Sequence, residues 1–304
     1  MSVRHHPYFR RVSTYARLIK PWFFNGASLY YVAHFFWEGL TKGDVGTRAA
    51  SISYRILMAL FPTIIFVLSI IPYLPIDNLE WIILDAMKSV MPISAHDLLS
   101  NLIQDLMDRR HSTLVSIGFL LGLYYAANTI NAYIIEFNSS PILIKRYGFF
   151  KGLLISFILV VFFSVFIFVA GLLLLAGNFL LHKLHAYGFI NDYLRVFLDF
   201  MRYIAAFLIF VISISALYYA GDRHKERFKP FNPGAISAAF LVIMSSIIFA
   251  WFVNNFGNYN KLYGSLGSFF VALIWLYFNN VIIILGFELN MSIKRAKNHR
   301  NEKN

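Results

Sequence analysis

Arg55, Glu136 and Glu288 are charged side chains that fall inside, or at the very end of, long apolar runs of the chain. A charge at the centre of a spanning helix costs about 2.5–3.5 kcal/mol on insertion scales, so each of these demands a partner or a purpose. Arg55 stands one to two turns inside the run 50–74, Glu136 closes the run 113–135, and Glu288 lies near the end of 266–289. Asn131 and Asn128 sit deeper than Glu136 on its run, and Asn279 stands about 13 Å along a helix from Glu288. Two chemistries remain open. Arg55, Asn128, Asn131, Glu136, Asn279 and Glu288 can line one polar cavity that receives an anionic headgroup at Arg55. Alternatively, Arg55 forms a structural ion pair with Glu288 or Glu136 by snorkelling, while Asn279, Asn280, Ser245 and Ser246 act as hydrogen-bonding glue between helices.

Other chemistries lack their residues. The chain has no cysteine, which removes disulfides, thiolate nucleophiles and thiolate metal sites. A nuclease needs clustered carboxylates for metal, or paired histidines near a phosphate-binding surface. The acids of the short polar loops are Glu136, Asp222 and Glu226, and His224 stands alone among basic residues. His182 and His185 are three apart with no third ligand nearby in sequence, as an interfacial pair would be. No GxxxxGK[ST] phosphate loop occurs. No catalytic residue, metal or cofactor is therefore expected, and the protein is read as not an enzyme.

A stretch between the two final apolar runs, FGNYNKLYGSLGSFF (Phe256–Phe270), carries Lys261 as its only charge. Such a turn can sit at or below the headgroup plane, with Asn and Ser satisfying freed backbone groups and Gly264 and Gly267 permitting non-helical conformations. Asn258, Tyr259, Tyr263, Gly264 and Gly267 are the candidates for the outer mouth of a cavity.

The elements that must position these groups follow from composition. Of 304 residues 59% are hydrophobic and only 14% charged, well short of the roughly 25% charged in soluble domains. This is an integral membrane protein. Six runs reach the roughly 20 residues that a hydrocarbon core requires: 50–74, 113–135, 152–178, 201–220, 234–254 and 266–289. They are too long and too continuously apolar for barrel strands, so they predict helices. Pro62 within the first can kink it and serve gating or simple shape. Gly118 and Gly122, with Ala126 on the same face, predict close helix packing. Residues 22–40, bracketed by Trp22 and Trp37, predict an interfacial helix. Residues 75–112 predict an external amphipathic helical pair.

The expected organisation is an N-terminal segment 1–49, a six-helix transmembrane domain 50–292 and a basic tail 293–304, disordered from 294. Nineteen of the 27 Lys/Arg fall to the cytoplasmic side if both termini are inside, and seven to the other. This positive-inside bias accounts for the net charge of +12 without nucleic acid.

The first run, AASISYRILMALFPTIIFVLSIIPYL, resembles the opening span of the YihY/BrkB family. The closing block resembles that family more closely, through Pro233-Gly234-Ala235, Asn258-Tyr259, Leu262-Tyr263-Gly264-Ser265-Leu266-Gly267, Trp275-Leu276-Tyr277, Gly286 and Glu288. Arg55 and the pair Asn279-Asn280 depart from the family's usual residues. The family has carried the name ribonuclease BN, but the residues above supply no nuclease constellation. The resemblance implies a role in the cell envelope of a bacterium. The expectation is an all-α, multi-pass inner-membrane protein that transports or flips an amphipathic lipid or envelope precursor, the alternative being a non-transporting envelope scaffold. Its expected partners are membrane lipids and further copies of itself, with no nucleic acid.

Overall fold

In lipid, a backbone group has no water to bond, so apolar runs of this length close their hydrogen bonds within themselves as helices. The computed structural model describes residue 21 and residues 26–70, 112–141, 148–187, 191–222, 227–255 and 265–301. Every element among them is an α-helix: α1 (Leu29–Lys42), α2 (Val45–Ile70), α3 (Ser112–Asn138), α4 (Phe149–Ala186), α5 (Asp192–Gly221), α6 (Pro233–Asn255) and α7 (Ser265–Asn301). The stretches 75–111 and 256–264 lie outside the described residues, and with them the external pair and Asn258, Tyr259, Tyr263 and Gly264. Gly267 is in the first turn of α7 and is helical, contrary to the non-helical turn expected of it.

Among the described residues four helices hold segments long and apolar enough to cross a membrane, Phe150–Leu174, Asp192–Gly221, Pro233–Phe252 and Phe270–His299. α2 and α3 are as long, at 26 and 27 residues, but Arg48 and Arg55 in one, and Asn128 and Asn131 in the other, interrupt their apolar character. Each of α2 to α7 packs on its neighbour in sequence, and α7 returns to pack on α2, which closes a ring. An apolar core that includes Ile52, Phe137, Ile284 and Phe287 is sealed among the helices, and polar groups are buried with it. Glu288, Asn280, Ser156 and Ser215 are sealed inside, whereas Ile167, Phe168 and Trp251 face outward. Exposed apolar area on this scale belongs against acyl chains.

Close approaches hold the ring. A Cβ on Gly118 would stand 3.2 Å from the Phe66 backbone, so this glycine lets α2 and α3 touch. Gly122, its partner in the expected motif, has open space beside it. Tighter still is the crossing of α6 and α7 at Gly234 and Gly286. A Cβ on Gly286 would meet the Gly234 carbonyl oxygen at 2.6 Å and the Ala238 side chain at 2.8 Å. Beside it Phe137 stacks on Phe287 at 4.1 Å, and Tyr218 meets both rings edge-on. α2 runs through Pro62 as one helix, where the Thr63 hydroxyl donates to the Ala59 carbonyl at 2.7 Å.

The two ends of the chain correct the expected tail. α7 continues to Asn301, where disorder was expected from residue 294. The reason is α1: Ala27 and Val32 bury Ile293 and Ala296, Arg295 reaches Glu38 at 3.3 Å, and its guanidinium lies over the Phe35 ring. At 14 residues α1 is too short to span. His185, expected in an interfacial histidine pair, contacts Asp192 at 2.7 Å.

Candidate functional site

A tight turn sets the first polar node. Gly43 and Asp44 join α1 to α2, with Asp44 at φ 42°, a left-handed conformation that Asp tolerates better than most residues. Arg48 follows one turn later. Its Nη1 donates to Glu288 Oε1 at 2.7 Å and to the Gly43 carbonyl at 3.2 Å. Ser140, just beyond α3, donates to the other carboxylate oxygen of Glu288 at 2.9 Å. The start of α2, the end of α3 and the late part of α7 are thus tied at one buried carboxylate. Arg48 Nε and Nη2 have no hydrogen-bond partner among the described residues.

Arg55 is not that partner. Its Nη1 donates to Asn128 Oδ1 at 3.0 Å, and Thr129 donates to its carbonyl at 3.3 Å, so Arg55 bridges α2 and α3. Among the described residues it forms no salt bridge, and neither does half-buried Glu136. Asn131 is buried with its Oδ1 against Gly152, where a Cβ would stand 2.9 Å away. Asn279 and Asn280 turn opposite ways. Asn279 accepts from Ser245 at 2.9 Å and donates to the Trp275 carbonyl at 2.8 Å, and Trp275 in turn donates to Ser246 at 3.2 Å. Asn280 accepts from the Tyr133 hydroxyl and donates to Ser53 at 2.8 Å. This is interhelical bonding across α2, α3, α6 and α7. Of the six residues expected to line one polar cavity, Arg55 with Asn128, Asn279 and Glu288 make bonds between helices, Asn131 lies against Gly152, and Glu136 forms no salt bridge among the described residues.

Open space lies elsewhere. A cavity of about 1080 Å³ is formed by α5, the segment 227–232, the start of α6 and the late part of α7. Its volume is at the upper end of the roughly 300–1,000 Å³ typical of small-ligand sites. None of Arg55, Asn128, Asn131, Glu136, Asn279 and Glu288 lines it. Phe207, Ile236 and Phe240 supply apolar wall, and Arg227, Lys229, Lys294 and Lys297 stand around Asp222 at its polar end. Lys294 bridges to Asp222 at 2.6 Å.

Its floor is built by the cap of α6. Asn232 accepts from the Ala235 backbone N–H at 2.8 Å and is followed by Pro233 in the first helical position. Asn290 on α7 donates to Asn232 Oδ1 at 2.5 Å and accepts from the Gly234 N–H at 2.8 Å. Ser215 of α5 accepts from Asn232 at 2.9 Å and donates to the Pro230 carbonyl at 2.6 Å. Ser215, Asn232 and Asn290 are thus bonded to one another and to the backbone. Sequence reasoning passed over Arg48, Asn232, Asn290 and the cavity cations, which read as ordinary flanking residues. Asn232-Pro233 was the readable sign, as a helix-start pair.

No three His, Asp or Glu side chains cluster for a metal among the described residues. An apolar exterior, polar groups bonded between helices inside an apolar core, and a ring of long helices define an all-helical membrane protein. The model of the family called Virulence factor BrkB matches residues 36–304, and the chain belongs to that family. It is 29% identical over 259 residues to a putative ribonuclease-like protein YfkH of Bacillus subtilis (strain 168), covering 83% of this chain and 90% of that one. It is 25% identical over 271 residues to a UPF0761 membrane protein of Xanthomonas campestris pv. campestris (strain B100), covering 85% of this chain and 60% of that relative's length. No solved structure matches it.

Proposed function

We propose that this protein moves an amphipathic substrate, a lipid or an envelope precursor, across a bacterial inner membrane, taking it in at the cavity between α5, α6 and α7. The observation that carries this reading is the cavity itself, with apolar walls along its depth and cations at one end. All of α2 to α7 cross the bilayer in this proposal, with both termini in the cytoplasm and α1 at the membrane surface. The charge bias supports that orientation. No phosphate loop is present in the sequence, so the movement is driven by a gradient, by a partner or by nothing beyond the lipid's own distribution.

Reconstitution tests it. Vesicles containing the protein should redistribute a fluorescent phospholipid between leaflets faster than empty vesicles, and Ile236→Trp, which fills the cavity wall, should abolish the gain. Equal rates in all three preparations would sink transport. A non-transporting scaffold would then be favoured, a reading supported by the saturated bonding of Asn279 and Asn280. The relative's ribonuclease-like name does not extend to this chain in the proposal. Purified protein should leave RNA intact at every metal concentration, and cleavage lost on mutating a single acid would overturn that.

A further inference from the structure

We infer that the cavity between α5, α6 and the late part of α7 selects an amphiphile with an anionic, phosphate-bearing headgroup over a zwitterionic one. This rests on the reading of that cavity as the substrate's entrance and names its substrate class. Among the described residues four cations, Arg227, Lys229, Lys294 and Lys297, border the polar end against one carboxylate, Asp222, which Lys294 engages at 2.6 Å. Arg227 and Lys297 form no salt bridge among the described residues. Among the described residues Asp222 is the one carboxylate at the cavity and Lys294 engages it, so an ethanolamine ammonium meets no unengaged carboxylate there and a choline group has only aromatic faces such as Phe228 to meet it. The neutral groups of the floor are also taken, because Ser215, Asn232 and Asn290 bond one another and the backbone. Arg227 and Lys297, with the Tyr219 hydroxyl, are what the described part of the cavity has left to offer a ligand, and arginine and lysine are suited to phosphate oxygens.

Depth argues for an amphiphile over a free anion. Along the helices, Phe240 stands about 10 Å from the start of α6 and Phe207 about 22 Å from Asp222 at the end of α5. Apolar wall thus continues well past the charged rim. A free phosphate would use the rim alone. Flanking basic residues are expected at one face of any membrane protein, but that rule does not gather four of them at the polar end of one apolar-walled cavity.

The test uses the full chain in phosphatidylcholine nanodiscs with a small fraction of phosphatidylglycerol carrying a photoreactive acyl chain. After irradiation, adducts should fall on peptides containing Phe207, Ile236 or Phe240. Excess phosphatidylglycerol should suppress them, whereas added phosphatidylcholine or inorganic phosphate should not. Arg227→Gln and Lys297→Gln should each weaken competition by phosphatidylglycerol roughly fivefold, the value of one cation near an anionic lipid. Lys151→Gln, an equal loss of charge outside the cavity, should have no such effect. Equal competition by phosphatidylcholine, protection by inorganic phosphate alone, or unchanged competition in both variants would each overturn the inference. Should the Ile236→Trp protein keep selective labelling on those peptides, the cavity is not the site and the inference also falls. Labelling needs no transport. Selective labelling without lipid movement would therefore defeat the transport reading alone, and movement of lipid without headgroup selectivity would defeat only this one.

Discussion

Arg48 Nη1 lies 2.7 Å from Glu288 Oε1, with the two side chains 5% and 0% exposed, and this contact joins the first turn of α2 to the late part of α7 across 240 residues of chain. Two charges removed from water are held together only while both are present. Removing one partner of such a pair costs about 3–5 kcal/mol, whereas replacing both with apolar groups is often neutral. Arg48→Met should therefore lower the thermal midpoint in detergent sharply, and Arg48→Met with Glu288→Leu should recover most of it. Arg55→Leu, which gives up a half-buried bond to Asn128, should cost about 1 kcal/mol. A larger loss for Arg55→Leu than for Arg48→Met would show that the ring depends on the other arginine.

The crossing of α6 and α7 makes a second demand. Gly286→Ala pushes a methyl group against the Gly234 carbonyl and Ala238, so the helices must separate, at about 1–3 kcal/mol for overpacking. Gly122→Ala meets open space and should be neutral or slightly stabilising, since alanine is the better helix former by about 1 kcal/mol. Circular dichroism melts of the two variants side by side would check this contrast. A neutral Gly286→Ala would mean that the crossing is looser than described.

Acid should loosen the junction of α1 with α7. The hydrogen bond from Lys42 holds the Glu38 carboxyl below its usual value of 4.5, with Arg295 adding attraction against a partial loss of hydration. A carboxyl whose folded pKa is depressed stabilises the fold fully above the usual value, and that contribution fades as pH falls through the folded pKa. Protection of the 29–42 amides against hydrogen exchange, relative to the intrinsic rate at each pH, should thus fall below about pH 4.5, while Glu38→Gln should be less protected already at neutral pH with a weaker acid response. The effect is small because Glu38 keeps partial contact with water, which screens its two ion pairs. Identical acid response in both proteins would remove Glu38 from the account.

Topology can be read by chemical labelling, since the chain has no native cysteine. Single cysteines at Ser13 and Asn298 should resist an impermeant thiol reagent added to intact cells, and one at Ser100 should react. The reverse pattern would place the basic ends outside and invert the proposed direction of the cavity.

Much of the fold was legible because lipid imposes a local rule. A segment of about 20 apolar residues has to be helical, and all six such runs are, as far as they are described. Glu288 was also legible, as a charge too costly to leave against acyl chains. Its partner was not. Arg48 and Arg55 are seven residues apart, about two turns, so they share a face of α2 and differ in depth by about 10 Å. Choosing between them requires the vertical offset of α2 against α7. That offset comes from the Gly43-Asp44 turn, from the start of α2 at Val45, and from packing along the ring.

By itself, then, the amino-acid sequence determined what each segment must be: its helical state, its affinity for lipid and the side of the bilayer its charges favour. Those are properties of a segment and its solvent. The structure alone decided which segments meet. It continued α7 to Asn301, because α1 and the residues before it offer apolar surface to Ile293 and Ala296. It also set the cavity away from the intramembrane charges, where α5, α6 and α7 leave space that no one of them encodes. A cavity is the volume that packing fails to fill, and packing is fixed only when all the helices are in place.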